Sequence, residues 1–191
     1  MSDDDQALSY IYKPSLAGST HTFMLTEQGL SFQSGFRTGT WGYDEIWRIR
    51  LSYRPVSMLS HRFRTDIYNK QGKKLTLISA SWSGIVTLAP QNDSYRAFVE
   101  ELHRRLAQQN PKVACFAGLG VIVFAIGIVL FGAVMLALAG LLIRALTTSN
   151  VIAALFMLGF AAWFGWHTGG WLMRNKPGRY APAEVPHKLL P

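Results

Sequence analysis

The sequence predicts an α+β protein with membrane helices: antiparallel strands closed by one amphipathic helix, then a two-helix transmembrane hairpin. Three observations lead there. Two apolar runs, Val113–Ile143 and Val151–Met173, contain no Asp, Glu, Lys or Arg and hold 31 and 23 residues. About 20 apolar helical residues cross a hydrocarbon core of roughly 30 Å, so each run is long enough to span a bilayer. Upstream, apolar and polar residues alternate with a period of two between turn residues, as half-buried strands do. Between the two regions, Tyr95, Phe98, Val99, Leu102 and Leu106 recur at helical spacing and form one apolar stripe.

The chain divides accordingly into an N-terminal extension (1–18), a strand-rich domain (19–110), the hairpin region (111–174) and a Pro-rich tail (175–191). Thr22–Thr26 and Leu30–Gln33 read as strands around the turn Glu27-Gln28-Gly29, and a short strand is expected at Thr40–Trp41. In Ile46–Tyr53, Trp47, Ile49, Leu51 and Tyr53 share one face, while Arg48, Arg50, Ser52 and Arg54 share the other. Phe63–Asn69 and Lys74–Ser79 flank the turn Lys70–Lys73 as a hairpin, and Trp82–Leu88 offers one more short strand. Asn92 or Asp93 is the expected cap of the amphipathic helix, and Asn110-Pro111 its end.

For the membrane region, spans of about 113–143 and 151–173 are expected, joined by Arg144–Asn150. Arg104, Arg105 and Lys112 precede the pair and Arg174, Lys176 and Arg179 follow it, against Arg144 alone in the link. This bias places the domain and the tail together on the cytoplasmic side. The acidic start Met1–Gln6 is not followed by an apolar stretch, so the first span is expected to direct insertion itself. The tail, with Pro177, Pro182, Pro186 and Pro191, reads as an extended cytoplasmic segment. The lone cysteine, Cys115, reads as a small buried hydrophobe at the start of the first span and excludes an internal disulfide.

The segments LTEQGLSF, WGYDEIWRIRLSYRP and YRAFVEELHRRL, in that order and followed by two spans, resemble bacterial pleckstrin-homology-like (PH-like) membrane proteins. The resemblance covers about residues 20–108 and implies a PH-like antiparallel β-barrel capped by its C-terminal helix, at a bacterial inner membrane. Inositide-binding members of the wider family carry basic residues at their first hairpin. Here that turn is Glu27-Gln28-Gly29, so the activity does not carry over.

Candidate chemistry is sparse. No catalytic residue, metal site or cofactor site is expected: His21, His61, His103, His167 and His187 are scattered without an i,i+3 or i,i+4 pair, and no triad or paired carboxylates stand in a recognisable setting. The net charge of +8 comes without a nucleic-acid motif, so nucleic acid is not an expected partner. Arg48, Arg50, Arg54, Arg62 and Arg64 form either a contact face for lipid headgroups or an acidic partner, or a solvated face balanced by Asp44, Glu45 and Asp66. Ala161, Gly165 and Gly169 make a small-residue stripe that packs either within the hairpin or onto another subunit. Trp163, Trp166, His167 and Trp171 read as an interfacial belt, with His167 in a hydrogen-bonding role rather than as a ligand. The function expected is a non-enzymatic, membrane-anchored binding or scaffold protein. The alternative is an accessory subunit of a membrane enzyme or transporter, docked through the hairpin. Partners are the bilayer and either a membrane protein or further copies of the chain.

Overall fold

The computed structural model describes residues 8–15, 18–57, 60–82 and 88–191 and divides into two units, residues 1–117 with 178–191, and residues 118–177. The first unit opens with β1 (Ser9–Tyr12), β2 (His21–Leu25), β3 (Leu30–Ser34) and β4 (Arg37–Trp41), which form a four-stranded antiparallel sheet in that order. Next come β5 (Ile46–Ser57), β6 (Ser60–Asn69), β7 (Lys74–Ile78), β8 (Ala80–Trp82), β9 (Leu88–Pro90) and helix α1 (Asn92–Gln109). Two further strands, β10 (Ala114–Ala117) and β11 (Gly178–Tyr180), complete a five-stranded sheet of order β11-β10-β5-β6-β7. Its pairs are antiparallel except β10 with β5, which run parallel. β8 and β9 pair separately.

The amphipathic pattern builds the core. Tyr95, Phe98, Val99, Leu102 and Leu106 of α1 are wholly buried, as are Phe23, Leu25 and Leu30 from one sheet and Ile49, Leu51 and Ile67 from the other. Each such side chain contributes about 1.5–3 kcal/mol of burial free energy. Polar ends are satisfied: the Tyr95 hydroxyl lies 2.6 Å from Thr65 Oγ1, and Asn110 Nδ2 donates to the Tyr43 and Ile46 carbonyls. Residue 29 must be glycine, because its φ is +152° and a Cβ there would fall 2.2 Å from the Trp41 carbonyl oxygen.

The described sheets do not close into the barrel that the resemblance implies. Tyr10 and Tyr12 of β1 instead donate their hydroxyls to the Ile78 and Thr76 carbonyls of β7. Side-chain hydrogen bonds thus occupy main-chain acceptors that a closing ladder would use. Residues 9–12, assigned to an extension by sequence, are in fact a paired strand, Tyr10 opposite Phe23.

Other expectations are corrected as well. Trp47 is exposed, not inward, because a bulge between Ile46 and Arg48 inserts one residue and turns Ile46 inward instead. The helix follows Gln91, with neither Asn92 nor Asp93 in the cap position. Of the strand expected at Trp82–Leu88, Trp82 ends β8 and Leu88 begins β9, while residues 83–87 lie outside the described residues. The first apolar run is not one helix: Val113 just before β10 and Cys115 and Ala117 within it are buried in alternation, and the helix starts at Val121. Cys115 is therefore a sheet residue. The tail, expected as an extended segment, forms β11 and a final helical turn, His187–Leu189, with Leu189 and Leu190 buried.

In the second unit, α2 (Val121–Thr147) and α3 (Val151–Arg174) form an antiparallel pair of 27 and 24 residues. Asn150 caps α3, its side chain accepting from the Ala153 amide at 3.1 Å. Phe131 stacks on Phe164 with centroids 5.7 Å apart. Elsewhere the pair exposes apolar side chains such as Ile122, Ile152 and Phe156. Both helices are long and apolar enough to cross a membrane.

Chain entry and exit of this unit are tied together. The Leu119 amide donates to the Asn175 carbonyl at 3.0 Å. Gly118 has φ +74°, and a Cβ on it would lie 2.3 Å from the same oxygen.

Candidate functional site

The polar feature with the most organised surroundings is the face of the five-stranded sheet that carries alternate residues of β5 and β6. Register pairs Arg48 with Tyr68, Arg50 with Asp66, Ser52 with Arg64 and Arg54 with Arg62, so the five arginines named from the sequence share one face. They do not act alike. Arg64 is neutralised: its Nε donates to both Asp66 carboxylate oxygens, at 3.0 and 3.1 Å, and Thr76 Oγ1 donates to the same group at 2.7 Å. Arg62 lies near Tyr12, and burial lowers its pKa. Arg54 is exposed.

Arg48 and Arg50 belong to a tighter group centred on Phe116. β10 sets Phe116 beside Arg50, and β11 sets Arg179 on its other side. The guanidinium carbons of Arg48, Arg179 and Arg50 lie 4.9, 5.3 and 5.4 Å from the Phe116 ring centroid. Arg48 also sits 5.1 Å from the Tyr68 ring and 5.8 Å from that of Trp47. Such cation–π placements hold a guanidinium plane against the ring. Burial, then the neighbouring charge of Arg48, lowers the Arg50 pKa. Arg48 Nε is shielded from solvent and has no hydrogen-bond partner.

A buried polar chain fixes β11 on the opposite side of the strand. His103 of α1 is 1% exposed; its Nδ1 donates to the Val99 carbonyl at 2.7 Å, and its Nε2 accepts from the Tyr180 hydroxyl at 2.9 Å. A carbonyl only accepts, so this geometry fixes the neutral tautomer. Burial pushes the His103 pKa down to about 4 and the Cys115 thiol up to about 11, where Tyr180 is its hydrogen-bonding neighbour. Tyr180 turned toward His103 leaves its strand neighbour Arg179 exposed beside Phe116.

In the helix pair, a Cβ on Gly165 would lie 3.9 Å from the Met135 side chain, and one on Gly169 would lie 3.7 Å from the Phe131 ring. Ala161 lies one turn earlier and is half-buried. Trp163 and His167 are exposed, their rings tilted against each other with centroids 5.1 Å apart; Trp166 is exposed, and Trp171 is half-buried with its Nε1 shielded and unpartnered. Among the described residues, no three His, Cys, Asp or Glu side chains gather as a metal site requires.

Sequence reasoning missed Phe116, Arg179 and the His103–Tyr180 bond. Their one local signal was the period-two burial hidden at the start of the first apolar run. Comparison with protein-family models, with curated proteins and with solved structures found no match to this chain.

Proposed function

We propose that this chain is a membrane-anchored, non-enzymatic binding protein whose PH-like domain offers its arginine face to an anionic group at a bacterial inner membrane. The observation that carries this reading is the setting of Arg48, Arg50 and Arg179 around Phe116, on a sheet whose neighbouring strands lead into and out of the apolar helix pair. Pairing of Cys115 with Tyr180 supports a topology in which both flanks of that pair lie in one compartment. The positive flanks favour the cytoplasm as that compartment.

The test begins with alkaline carbonate extraction of the tagged full chain. Retention in the membrane pellet supports anchoring, and release into the wash overturns it. Reversal of Arg48, Arg50 and Arg54 to Glu is then expected to abolish retention on anionic vesicles over neutral ones, with insertion intact. Unchanged retention removes the arginine face from the function.

A second reading, an accessory subunit docked through the hairpin, draws on one observation. Phe156, Phe160, Trp163 and His167 form an exposed ridge of successive ring contacts along α3. Stoichiometric co-purification with a larger membrane enzyme or transporter in mild detergent, lost on Trp163→Ala, supports it. A lone chain or homo-oligomer on a native gel favours the first reading.

A further inference from the structure

We propose that a second copy of this chain docks along β4, edge to edge and antiparallel, with the two-fold axis at Gly39. The inference goes beyond the anion-binding reading and does not depend on it.

β4 ends the four-stranded sheet, and its pairing with β3 decides which of its main-chain groups point outwards. Ser34 and Arg37 flank the two-residue turn Gly35-Phe36, in which Gly35 has φ +64°. Such a turn closes on a hydrogen-bonded pair, and bonded and non-bonded pairs alternate from there. Arg37, Gly39 and Trp41 therefore bond to β3, while the amides and carbonyls of Thr38 and Thr40 face away from it. Among the described residues, those outward groups have no hydrogen-bond partner. A groove of about 480 Å³ lies between this edge and Asn69, Gln71 and Lys73 of the β6–β7 turn, so the chain leaves room beside β4.

The other outer edges of the two larger sheets are guarded. On β7, the Tyr10 and Tyr12 hydroxyls take the Ile78 and Thr76 carbonyls. Beside β1, the Trp82 amide donates to the Lys13 carbonyl and the Lys13 amide to Ser81 Oγ. β11 is three residues long and is bracketed by Pro177 and Pro182. β4 has no proline and no bulge, and its one charge is at its first residue. An edge in that state is a ready template for another strand.

The sequence of β4 selects a copy of itself. Antiparallel pairing centred on Gly39 sets Thr38 opposite the partner's Thr40 and Thr40 opposite the partner's Thr38, which matches every outward amide and carbonyl of both edges. Cross-strand Thr–Thr pairs are favourable. Gly39 meets the partner's Gly39 at the narrow, non-bonded position, with no side chain to hold the strands apart. Phe36, fully exposed in the turn, falls opposite the partner's Gly42. The ends of the edge are also complementary in charge. Arg37 begins β4, and Asp44 lies just past its end, with Oδ1 2.5 Å from where a Cβ on Gly42 would stand. Neither has a hydrogen-bond or ion-pair partner among the described residues. The antiparallel register brings each Arg37 to the partner's Trp41 and Asp44, whereas a parallel one would set Arg37 beside its own copy. Pairing uses up both edges, so the assembly closes as a dimer.

The test is sedimentation velocity of the full chain in nonionic detergent over a range of concentrations. A monomer–dimer equilibrium is expected. Thr38→Pro removes an outward N–H without removing a bond to β3, and is expected to leave the chain monomeric. Arg37→Asp and Asp44→Arg each set like charges together at both ends of the interface. Each is expected to raise the dimer dissociation constant about tenfold, and the two combined to restore it. Far-ultraviolet circular dichroism of each variant shows that the sheet is retained. A dimer that survives Thr38→Pro lies elsewhere on the chain and overturns the proposal. A double variant that dimerises no better than the single ones overturns the register centred on Gly39. A monomer at every concentration, or an open series of larger assemblies, overturns the closed pair.

Discussion

Acidification is expected to open the seam between α1 and β11, and His103 sets the pH window. The ring is neutral, 1% exposed, and bonded on both nitrogens, with burial lowering its pKa from 6.5 to about 4. An unfolded segment therefore binds a proton that the folded one refuses. Stability is full above the unfolded value and falls as pH drops from 6.5 toward 4. One pKa unit is worth about 1.4 kcal/mol, so the full loss is on the order of 3 kcal/mol, with about 2 kcal/mol already gone at pH 5. The assay is hydrogen exchange of the full chain in detergent between pH 7 and 4.5, corrected for intrinsic rates, followed in peptides spanning Val99–Ala117 and Gly178–Leu190. By pH 5, local opening in the native chain is expected to rise roughly 30-fold relative to His103→Gln, which keeps a donor and an acceptor but does not titrate. His21, whose pKa is also lowered by burial, titrates in both proteins and cancels. Glu100, Arg104, Glu184 and His187 line the neighbouring groove and are unchanged in the variant. Parallel loss of protection in the two proteins refutes the assignment.

Gly118→Ala is expected to cost about 1–3 kcal/mol, since it adds a Cβ at φ +74° against the Asn175 carbonyl; the thermal unfolding temperature in detergent reads it. Gly169→Leu thrusts a side chain at Phe131 and is expected to reduce disulfide crosslinking between cysteines placed on facing turns of α2 and α3. Glu101 pairs with Arg104 and Arg105, which hold its carboxyl down at about 2. That contribution is present above pH 4.5 and lost as pH falls toward 2, so Glu101→Gln is expected to flatten this acid limb in a denaturant titration and to cost roughly 0.5 kcal/mol at pH 7.

How much of this could be read from the chain varied with how local the cause was. The α1 stripe was legible because Tyr95 to Leu106 repeat within one element. The arginine alternation of β5 was legible for the same reason, up to the bulge: one inserted residue at Trp47 changes phase without changing composition. β10 was hidden because Val113–Ala117 is as apolar as the helix after it, and period two over five residues vanishes inside a long run. β11 was invisible for a different reason. Three residues carry little periodicity, and its partner lies more than 60 positions earlier in the chain. Phe116 and Arg179 were lost with those two strands. The missing barrel closure likewise turns on Tyr10 and Tyr12 hydroxyls, whose targets on β7 no local pattern reveals.

The late arrival of β11 has a consequence for how the chain is made. Until Gly178–Tyr180 has been synthesised, after both apolar helices, β10 stands as an open edge carrying Ala-Cys-Phe-Ala without a single charge. Such an edge is a template for pairing between nascent chains. Once in place, β11 acts as a gatekeeper: it is short, carries Arg179, and is bracketed by Pro177 and Pro182. A chain halted after Arg174 would hold both helices and most of its sheet, yet be left prone to aggregate along β10.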